Sequence, residues 1–498
     1  MAIYLNQTPL YKTSAAAQDW IFIAAEDSGI VVNETLVKFI CRICVYDDIG
    51  NISPLVATLK TTPNAAGVGV FDIRPIIESF VNSDNLASNI DIGNGWGNTA
   101  SAFKTVLAGA YHTVPIHLID KFGVSPNSTK YVACYFNIEY LDATTNQIVE
   151  GLGQDFYNGG SIGLLAFNGT VYNTDTLTTG IGKSNYGYDL DSNNFILKDT
   201  NSKFLSNTPA TQYARLTDYG TMAFFNGLQL ANFSFDTAPN GSANSAGQVY
   251  KLEMKMYNSA GVQIGGTQNI FNETLTGGID SGGSLAKSWT HLLFAGIFPG
   301  NLRGWSTTFQ ANLANLSYYT IEAFDDNGNQ ISQTYTISII CDSSFGYEGV
   351  RLAWLNKFGA WDYYTFNKKS VRSINTNKTN YTQLQGTWNE GSYRPYSYKG
   401  GQKTFRVNSK ERIRLNTDYM IDVESVWIEE LISSPEVYII KDFDASYTPN
   451  AVVSVYNAFV EPVLVTTSSF TRKTKANDRL IQYTIEIEKN KNQSLQAI

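Results

Sequence analysis

Four cysteines are the first residues in this chain whose type and spacing could support chemistry. Cys41 and Cys44 stand in CxxC spacing within KFICRICVYDD, and Cys134 and Cys341 lie far downstream. CxxC pairs serve redox chemistry or zinc binding, but the chain has no second CxxC to complete a zinc site. The stretch alternates like a β-strand, on which side chains three apart point to opposite faces. We therefore expect buried, unreactive thiols and no bound metal or cofactor.

Two glycine-rich stretches imitate catalytic loops. GGSIG at 159–163 has the GxSxG spacing of a nucleophile elbow, which needs a strand before it and a helix after it. The flanking FYN and LLAFNG fit neither requirement. GGIDSGGS at 277–284 resembles a phosphate loop until Gly283, which stands where the phosphate-binding Lys is required. Both stretches are therefore interpreted as ordinary loops.

The remaining candidates for chemistry are incomplete as well. DLDSNN at 189–194 begins like a calcium loop, but Thr200 stands where the bidentate Glu belongs, so that only a weak surface calcium site stays open. His112, His117 and His291 form no HExxH motif. Carboxylate pairs for glycoside hydrolysis depend on a separation of roughly 5–10 Å in space, so a hydrolase stays open as an alternative. No catalytic residue is predicted, and we expect the protein not to be an enzyme.

A repeated hairpin pattern organises the first two thirds of the chain. Each copy has an alternating strand, an Asp or Asn, a short polar turn and an Ile. The four copies are RICVYDDIGNIS (42–53), IEYLDATTNQIV (138–149), MKMYNSAGVQIG (254–265) and IEAFDDNGNQIS (321–332). Asp, Asn and Gly tolerate the backbone angles of tight turns, which predicts β-hairpins. The alternative is a chance similarity of turn chemistry.

The hairpins predict the fold class, because isolated hairpins are unstable in water and must stack sheet on sheet. We expect a mainly β protein with several β-sandwich-like domains and few short helices. The predicted domains are 1–155, a related domain at 156–345 with long Gly/Asn-rich loops, and a β-rich domain at 346–498. The last contains one amphipathic helix at about 417–432, in which Met420, Val423, Trp427 and Leu431 share a stripe.

Composition and charge exclude several classes of protein. Charged residues make up 16 % of the chain, below the roughly 25 % usual for soluble proteins, whereas aromatic residues reach 13 %. Aromatic side chains are favoured at interface centres, although β proteins favour them too. The net charge of -8 argues against a general nucleic-acid binder.

The first residues resemble no signal peptide and no apolar run is long enough to span a bilayer, so we expect folding in a cytoplasm without membrane insertion.

An aromatic stretch at 351–367, RLAWLNKFGAWDYYTFN, predicts two strands joined at Gly359. It carries one dense set of rings, which is interpreted either as a core or as a subunit interface. Its members are Trp354, Phe358, Trp361, Tyr363 and Phe366.

Three patches carry a resemblance to a known group of proteins. WLNKFGAWDYYTF (354–366), GVGVFDIRPIIESFV (67–81) and LIQYTIEIEKN (480–490) resemble structural tail proteins of tailed bacteriophages that infect Bacteroidota, including crAss-like phages. The resemblance implies a β-domain component of the virion tail that is assembled in the host cytoplasm. The implied partners are copies of the chain itself and other tail proteins. A receptor- or carbohydrate-binding tail module that contacts host surface glycan is the alternative.

Overall fold

The computed structural model describes most of the chain. The described residues are 3–9, 13–17, 20–47, 55–84, 117, 119, 121–125, 127–151, 155–157, 164–170, 195, 197–226, 249–272, 288, 291–304, 306–340, 347–420, 422–441, 460–469, 482–490 and 493–494. They are mainly strand with few short helices, so the predicted fold class is confirmed. They divide into two compact units, the first formed from residues up to 340 together with 355–363, and the second from the rest.

The first unit opens with a β-sandwich. A three-stranded sheet has the order β1-β3-β6, and a larger sheet has the order β2-β11-β8-β4-β5, with β9 and β10 also pairing with β8. The strands are β1 (Ile3–Gln7), β2 (Thr13–Ala15), β3 (Ile21–Glu26), β4 (Thr35–Tyr46), β5 (Leu55–Thr61), β6 (Gly69–Asp72), β8 (Thr129–Leu141), β9 (Ile148–Glu150), β10 (Asp155–Tyr157) and β11 (Leu164–Phe167).

The core of this sandwich follows from strand alternation, which sends every second side chain between the sheets. Phe22 on β3 and Phe71 on β6 both meet Phe136 on β8, with ring centroids 5.3 and 5.9 Å apart. Cys41 and Ile43 on β4 lie in the same buried cluster. The two sheets are therefore joined by a single apolar layer.

A second sandwich occupies the later part of the first unit. Its sheets have the orders β12-β18-β17-β14-β15 and β13-β16-β7. The strands are β7 (Phe122–Val124), β12 (Thr211–Ala214), β13 (Thr221–Phe225), β14 (Lys251–Tyr257), β15 (Gln263–Phe271), β16 (Leu292–Gly296), β17 (Tyr318–Phe324) and β18 (Tyr335–Ile339). Phe204 stacks on Tyr335 at 4.9 Å and contacts Phe224 at 5.6 Å, which closes the layer between the sheets.

The larger sheets of the two sandwiches repeat one topology. In each, the first strand along the chain is an edge strand that pairs in parallel with the last, as β2 does with β11 and β12 with β18. The other neighbours are antiparallel, in the order β11-β8-β4-β5 and β18-β17-β14-β15. Chain order, spatial order and strand direction all agree, which supports an internal duplication over chance similarity of the turns.

The compact units differ from the three predicted domains. Residues on both sides of position 155 share a sheet, because β10 and β11 pair with β8. Strand β7 lies in the first repeat along the chain but pairs with β16 of the second. The two repeats therefore belong to one unit. The predicted start of the last domain, at 346, lies close to the start of the second unit.

The second unit is built on one sheet with the order β20-β19-β23-β24-β25-β22-β21, with β26 also pairing with β22. The strands are β19 (Val350–Leu355), β20 (Trp361–Phe366), β21 (Val371–Gln383), β22 (Gly401–Asn416), β23 (Val437–Ile440), β24 (Val460–Val465), β25 (Thr484–Lys489) and β26 (Gln493–Ser494). Residues 355–363, between and within β19 and β20, are grouped with the first unit.

Helices among the described residues are short. They are α1 (Ile30–Asn33), α2 (Arg74–Glu78), α3 (Pro299–Arg303), α4 (Thr307–Asn312), a 3₁₀ turn (Leu313–Asn315) and α5 (Asp422–Ser433). None of the described helices is long and apolar enough to cross a membrane.

The predicted amphipathic helix at about 417–432 is present as α5, but it begins later. Thr417 is tied to Tyr483 by two hydrogen bonds of 2.9 Å, one from its N–H and one to its hydroxyl, which hold it outside the helix. Trp427 and Leu431 are buried as predicted. Met420 is buried ahead of the helix, and the Val423 side chain lies outside the described part.

One turn recurs between strands throughout the first unit. An Asn or Asp side chain accepts the N–H groups of later turn residues, and a Gly three positions on adopts positive φ. The copies are Asn64–Val68, Asn258–Val262, Asp325–Asn329 and Asn356–Ala360, with Gly67, Gly261, Gly328 and Gly359 at φ of 75–80°. Asp142 opens a longer version, with Asn146 at φ 54°. Each turn closes on itself; those at Asn258, Asp325 and Asn356 join strands that are neighbours in one sheet, whereas the turn at Asn64 carries the chain from β5 in one sheet to β6 in the other.

Substitution of two turn glycines should separate backbone strain from packing. Gly328 and Gly359 have similar positive φ, but a Cβ on Gly328 meets nothing within 4 Å, whereas one on Gly359 lies 1.6 Å from the carbonyl oxygen of Asn168. Gly328→Ala should lower the free energy of unfolding by about 1–2 kcal/mol through strain. Gly359→Ala should lower it by about 1–3 kcal/mol more through overpacking. Urea unfolding of both variants tests this, and equal losses would contradict it.

Asp84 is a fully buried carboxyl group at the end of the first sandwich. Its Oδ1 accepts the N–H of Asn127 at 3.0 Å, and its Oδ2 accepts the N–H and hydroxyl of Ser128. Burial raises the pKa of Asp84 to about 6, although the Ser128 and Asn127 hydrogen bonds and the charge of Lys130 act to lower it. The protonated form is therefore favoured by folding.

This raised pKa gives Asp84 a defined pH signature. The ordinary pKa is 3.8, so the stability contributed by the neutral form is complete below about pH 4 and is lost as pH rises through 6. The loss should reach about 3 kcal/mol at 1.36 kcal/mol per pKa unit. Asp84→Asn should flatten the dependence of unfolding free energy on pH between about 4 and 7. Exposed Asp72→Asn is the control, and parallel curves for wild type and Asp84→Asn would refute the assignment.

Candidate assembly surface

All five residues of the predicted aromatic cluster lie in the interior of the protein. None has more than 3 % of its surface exposed. They are divided between two cores: Phe358, Trp361 and Tyr363 are grouped with the first unit, and Trp354 and Phe366 with the second. The structure therefore places these rings as core residues.

Specific contacts hold the three rings of the first unit. Phe358 meets Phe195 with ring centroids 4.4 Å apart. Trp361 donates its indole N–H to the backbone carbonyl of Asp84 at 2.6 Å. The hydroxyl of Tyr363 lies 3.2 Å from that of Thr221. In the second unit, Trp354 packs on Trp427 of α5 at 5.2 Å.

The thiols behave as the strand pattern predicts. Cys41 and Cys134 lie in the apolar layer of the first sandwich, whereas Cys44 is buried outside that cluster. Burial raises the pKa of the Cys44 thiol and raises that of Cys134 well above its usual range. All three are free. The buried-thiol interpretation is confirmed for them, and Cys341 lies outside the described residues.

The other chemical candidates provide no metal site within the described residues. His117 is buried, and the Nε2 of buried His291 is hydrogen-bonded to the hydroxyl of Tyr131. The described part of the chain contains no group of three or more His, Cys, Asp or Glu side chains that could hold a metal. His112 and the stretches 159–163, 189–194 and 277–284 lie outside the described residues.

The three described thiols should be protected in the native state. In a Cys341→Ser background, a chromogenic disulfide reagent should modify Cys41, Cys44 and Cys134 only after denaturant is added, because burial denies the reagent access to all three thiols and also raises the pKa of Cys44 and Cys134, which disfavours their reactive thiolates. The measurement is the number of thiols titrated before and after unfolding. Rapid modification of any of the three in the folded protein would contradict the assignment.

An unusual surface feature lies in the second unit, where β21 and β22 extend beyond the rest of their sheet. β25 pairs with β22 only at 412–416, and β26 only at Asn408 and Ser409. Beyond these contacts β21 and β22 pair with each other alone, up to Gln383 and Gly401. We call residues 374–407 the β-arm; it comprises this two-stranded ribbon and its connecting tip.

The β-arm exposes large apolar side chains along its length. Trp388 has 80 % of its surface exposed, and Phe405 has 67 %. The other exposed large apolar residues of the arm are Ile374, Tyr381, Leu384, Tyr393 and Tyr398. A two-stranded ribbon has no second sheet to cover it, so these side chains find no core within their own arm.

The tip of the β-arm is held by its own hydrogen bonds. Thr387 donates its N–H to the carbonyl of Arg394 at 3.1 Å, and Arg394 returns its N–H to the Thr387 hydroxyl at 3.0 Å. The ring of Tyr393 lies against Gly386, where an added Cβ would come within 2.5 Å of it. The tip therefore presents its aromatic residues from a defined loop.

Charges at the base of the same ribbon are paired. Glu488 on β25 accepts from Lys410 at 2.5 Å and from Arg412 at 2.9 Å, and this holds the pKa of Glu488 below its usual range. Glu411 bonds to Lys489 at 2.9 Å, which likewise lowers the pKa of Glu411. These cross-strand pairs join β22 to β25 and mark where the ribbon leaves the sheet.

Sequence reasoning did not find the β-arm. Its signal is a long alternation in KTFRVNSKERIRLN (403–416), where one face carries Arg406, Asn408, Lys410, Arg412 and Arg414. The opposite face carries Phe405, which is exposed, and its apolar side chains become buried only at Ile413 and Leu415. An extended strand without a core-facing side indicates a ribbon outside the sandwich.

No family model and no curated protein matches this chain.

Proposed function

We propose that the protein is a structural component of a phage virion tail, in a hub, ring, collar or baseplate-like assembly. It acts by self-association and by contacts with other virion proteins, and it carries out no catalysis. The proposal draws on the resemblance of three sequence patches to phage tail proteins. All three patches, as far as they are described, contribute buried strand residues here, including Phe71, Trp354 and Ile485.

The observation that supports this proposal most directly is the β-arm. Contiguous exposed apolar surface on a soluble protein commonly marks a site of protein interaction. The arm contains 34 residues, and one side of a standard protein interface uses about 20–30. Its exposed aromatic side chains are of the kind enriched at interface centres. An element of this size that contributes little to its own core is well suited to bury its surface against a neighbouring subunit.

A receptor- or carbohydrate-binding tail module is the second candidate. Trp388, Tyr393 and Tyr398 are exposed together in the tip of the β-arm, and flat aromatic rings offer apolar faces to a sugar ring. This alternative predicts binding to glycans of the host surface. It also predicts that the arm remains accessible in the assembled particle.

The assembly proposal is tested by the mass of the purified protein and by its presence in virions. Sedimentation velocity should show a defined oligomer whose population rises with protein concentration, and the chain should be found in purified phage particles. A monomer at every concentration, together with absence from particles, would overturn the proposal.

The competing functions have separate readouts. Binding of the isolated protein to a glycan array, with loss in Trp388→Ser and retention in Tyr213→Ser, would favour the receptor module. Tyr213 is a matched control because it is also exposed but lies on β12. Shortening of host polysaccharide chains by the protein would favour a hydrolase instead.

A further inference from the structure

The β-arm differs in charge from the rest of the protein. It carries five basic residues and one acidic residue, Glu390, for a net charge of +4, while the whole chain has -8. The remainder therefore carries -12. The basic residues of the arm are Lys378, Arg394, Lys399, Lys403 and Arg406.

Among the described residues, no ion pair neutralises the positive charges of the β-arm. In the part of the chain that the structure describes, no carboxylate lies within ion-pair distance of these five residues. Lys403 donates to the carbonyl of Tyr398 at 3.0 Å, and Arg406 donates to Asn408 at 2.9 Å. Lys399 lies over the rings of Tyr396 and Tyr398, 5.5 and 5.8 Å from their centroids. All of these contacts leave the charge in place, unlike the ion pairs at the base of the ribbon.

Two arrangements of neighbouring copies could cover the β-arm. In the first, the arms of two copies pair through the open edge of β21, which is the last strand of its sheet. In the second, the arm of one copy lies on the body of the next. The first brings two surfaces of net charge +4 together, and like charges oppose association. The second brings an arm of net charge +4 against the remainder of another copy, which has a net charge of -12, and opposite charges favour association.

We propose that the β-arm of one copy binds the acidic body of a second copy, in a head-to-tail contact. This inference rests on the proposed function and specifies the partner and the polarity of its self-association. A contact between two different surfaces either closes into a ring or extends as a chain. The arm then contributes an apolar centre through Trp388 and Phe405 and a cationic rim through Lys378 and Arg406.

Charge-reversal variants test the contact. Lys378→Glu/Arg406→Glu changes two exposed arm residues, and Lys203→Glu/Lys369→Glu makes the same change in charge at exposed positions outside the arm. The arm variant should raise the dissociation constant for self-association at least about tenfold, whereas the control should change it less than about twofold. Raising NaCl from about 0.05 to 0.5 M should weaken wild type more than the arm variant, because salt screens exposed charges. Thermal unfolding should show that both variants remain folded.

Zero-length cross-linking identifies the partner surface. A carbodiimide joins lysine amines to carboxylates in contact, and a mixture of ¹⁴N- and ¹⁵N-labelled protein distinguishes links between copies from links within one. Mixed-isotope links from Lys378, Lys399 or Lys403 to carboxylates outside 374–407 support the proposal. Links from arm lysines only to Glu390 of another arm would overturn it.

The failure of this inference differs from the failure of the proposed function. If the arm variant assembles as well as the control, the arm contact is wrong but assembly through another surface stands. If wild-type protein never associates and is absent from particles, both proposals are overturned. If the arm variant loses only binding to an anionic glycan, the arm serves the receptor function and the second-copy contact is refuted.

Discussion

The hydrogen bond between an Asn or Asp side chain and the backbone of its own turn is the local constraint on which several strand connections of the first unit depend. It recurs at Asn64, Asn258, Asp325 and Asn356, each time with a Gly at positive φ three residues later. A strand that slips by one residue exchanges its buried and exposed faces. By fixing where each strand turns back, these local bonds determine which side chains enter the apolar layers.

Much of this architecture could be predicted from the sequence, because turn chemistry and strand alternation are local. The hairpins around Asp142, Asn258, Asp325 and Gly359 follow from those signals, and so do the buried thiols. The pairing of β7 with β16 could not be predicted, since no local pattern states which distant strand completes a sheet. The start of α5 was predicted too early because no local pattern indicates the hydrogen bonds with Tyr483 that hold Thr417 ahead of the helix. For the candidate site, composition indicated surplus aromatic residues but not which of them are exposed.

The aromatic residues serve two different physical roles in this chain. Trp354 and Trp361 fill cores, where each meets a specific partner. Trp388 lies in the open on a ribbon too thin to have a core. The distinction is set by strand context and not by residue type. A strand that is covered by a neighbouring sheet buries its aromatic rings. A strand that extends beyond its neighbours exposes its rings to solvent or to another molecule. The same division applies to charge, which is paired at the base of the ribbon and, as far as the described residues show, unpaired beyond it.

The placement of β7 has a consequence for how this gene can change. The strand is encoded within the first repeat but completes a sheet of the second, where it pairs with β16 through Phe122, Gly123 and Val124. A recombination event that exchanged one repeat and left the other would deprive β16 of a neighbour and expose an unsatisfied strand edge. The two repeats therefore depend on each other, and we expect natural recombination to exchange both repeats together.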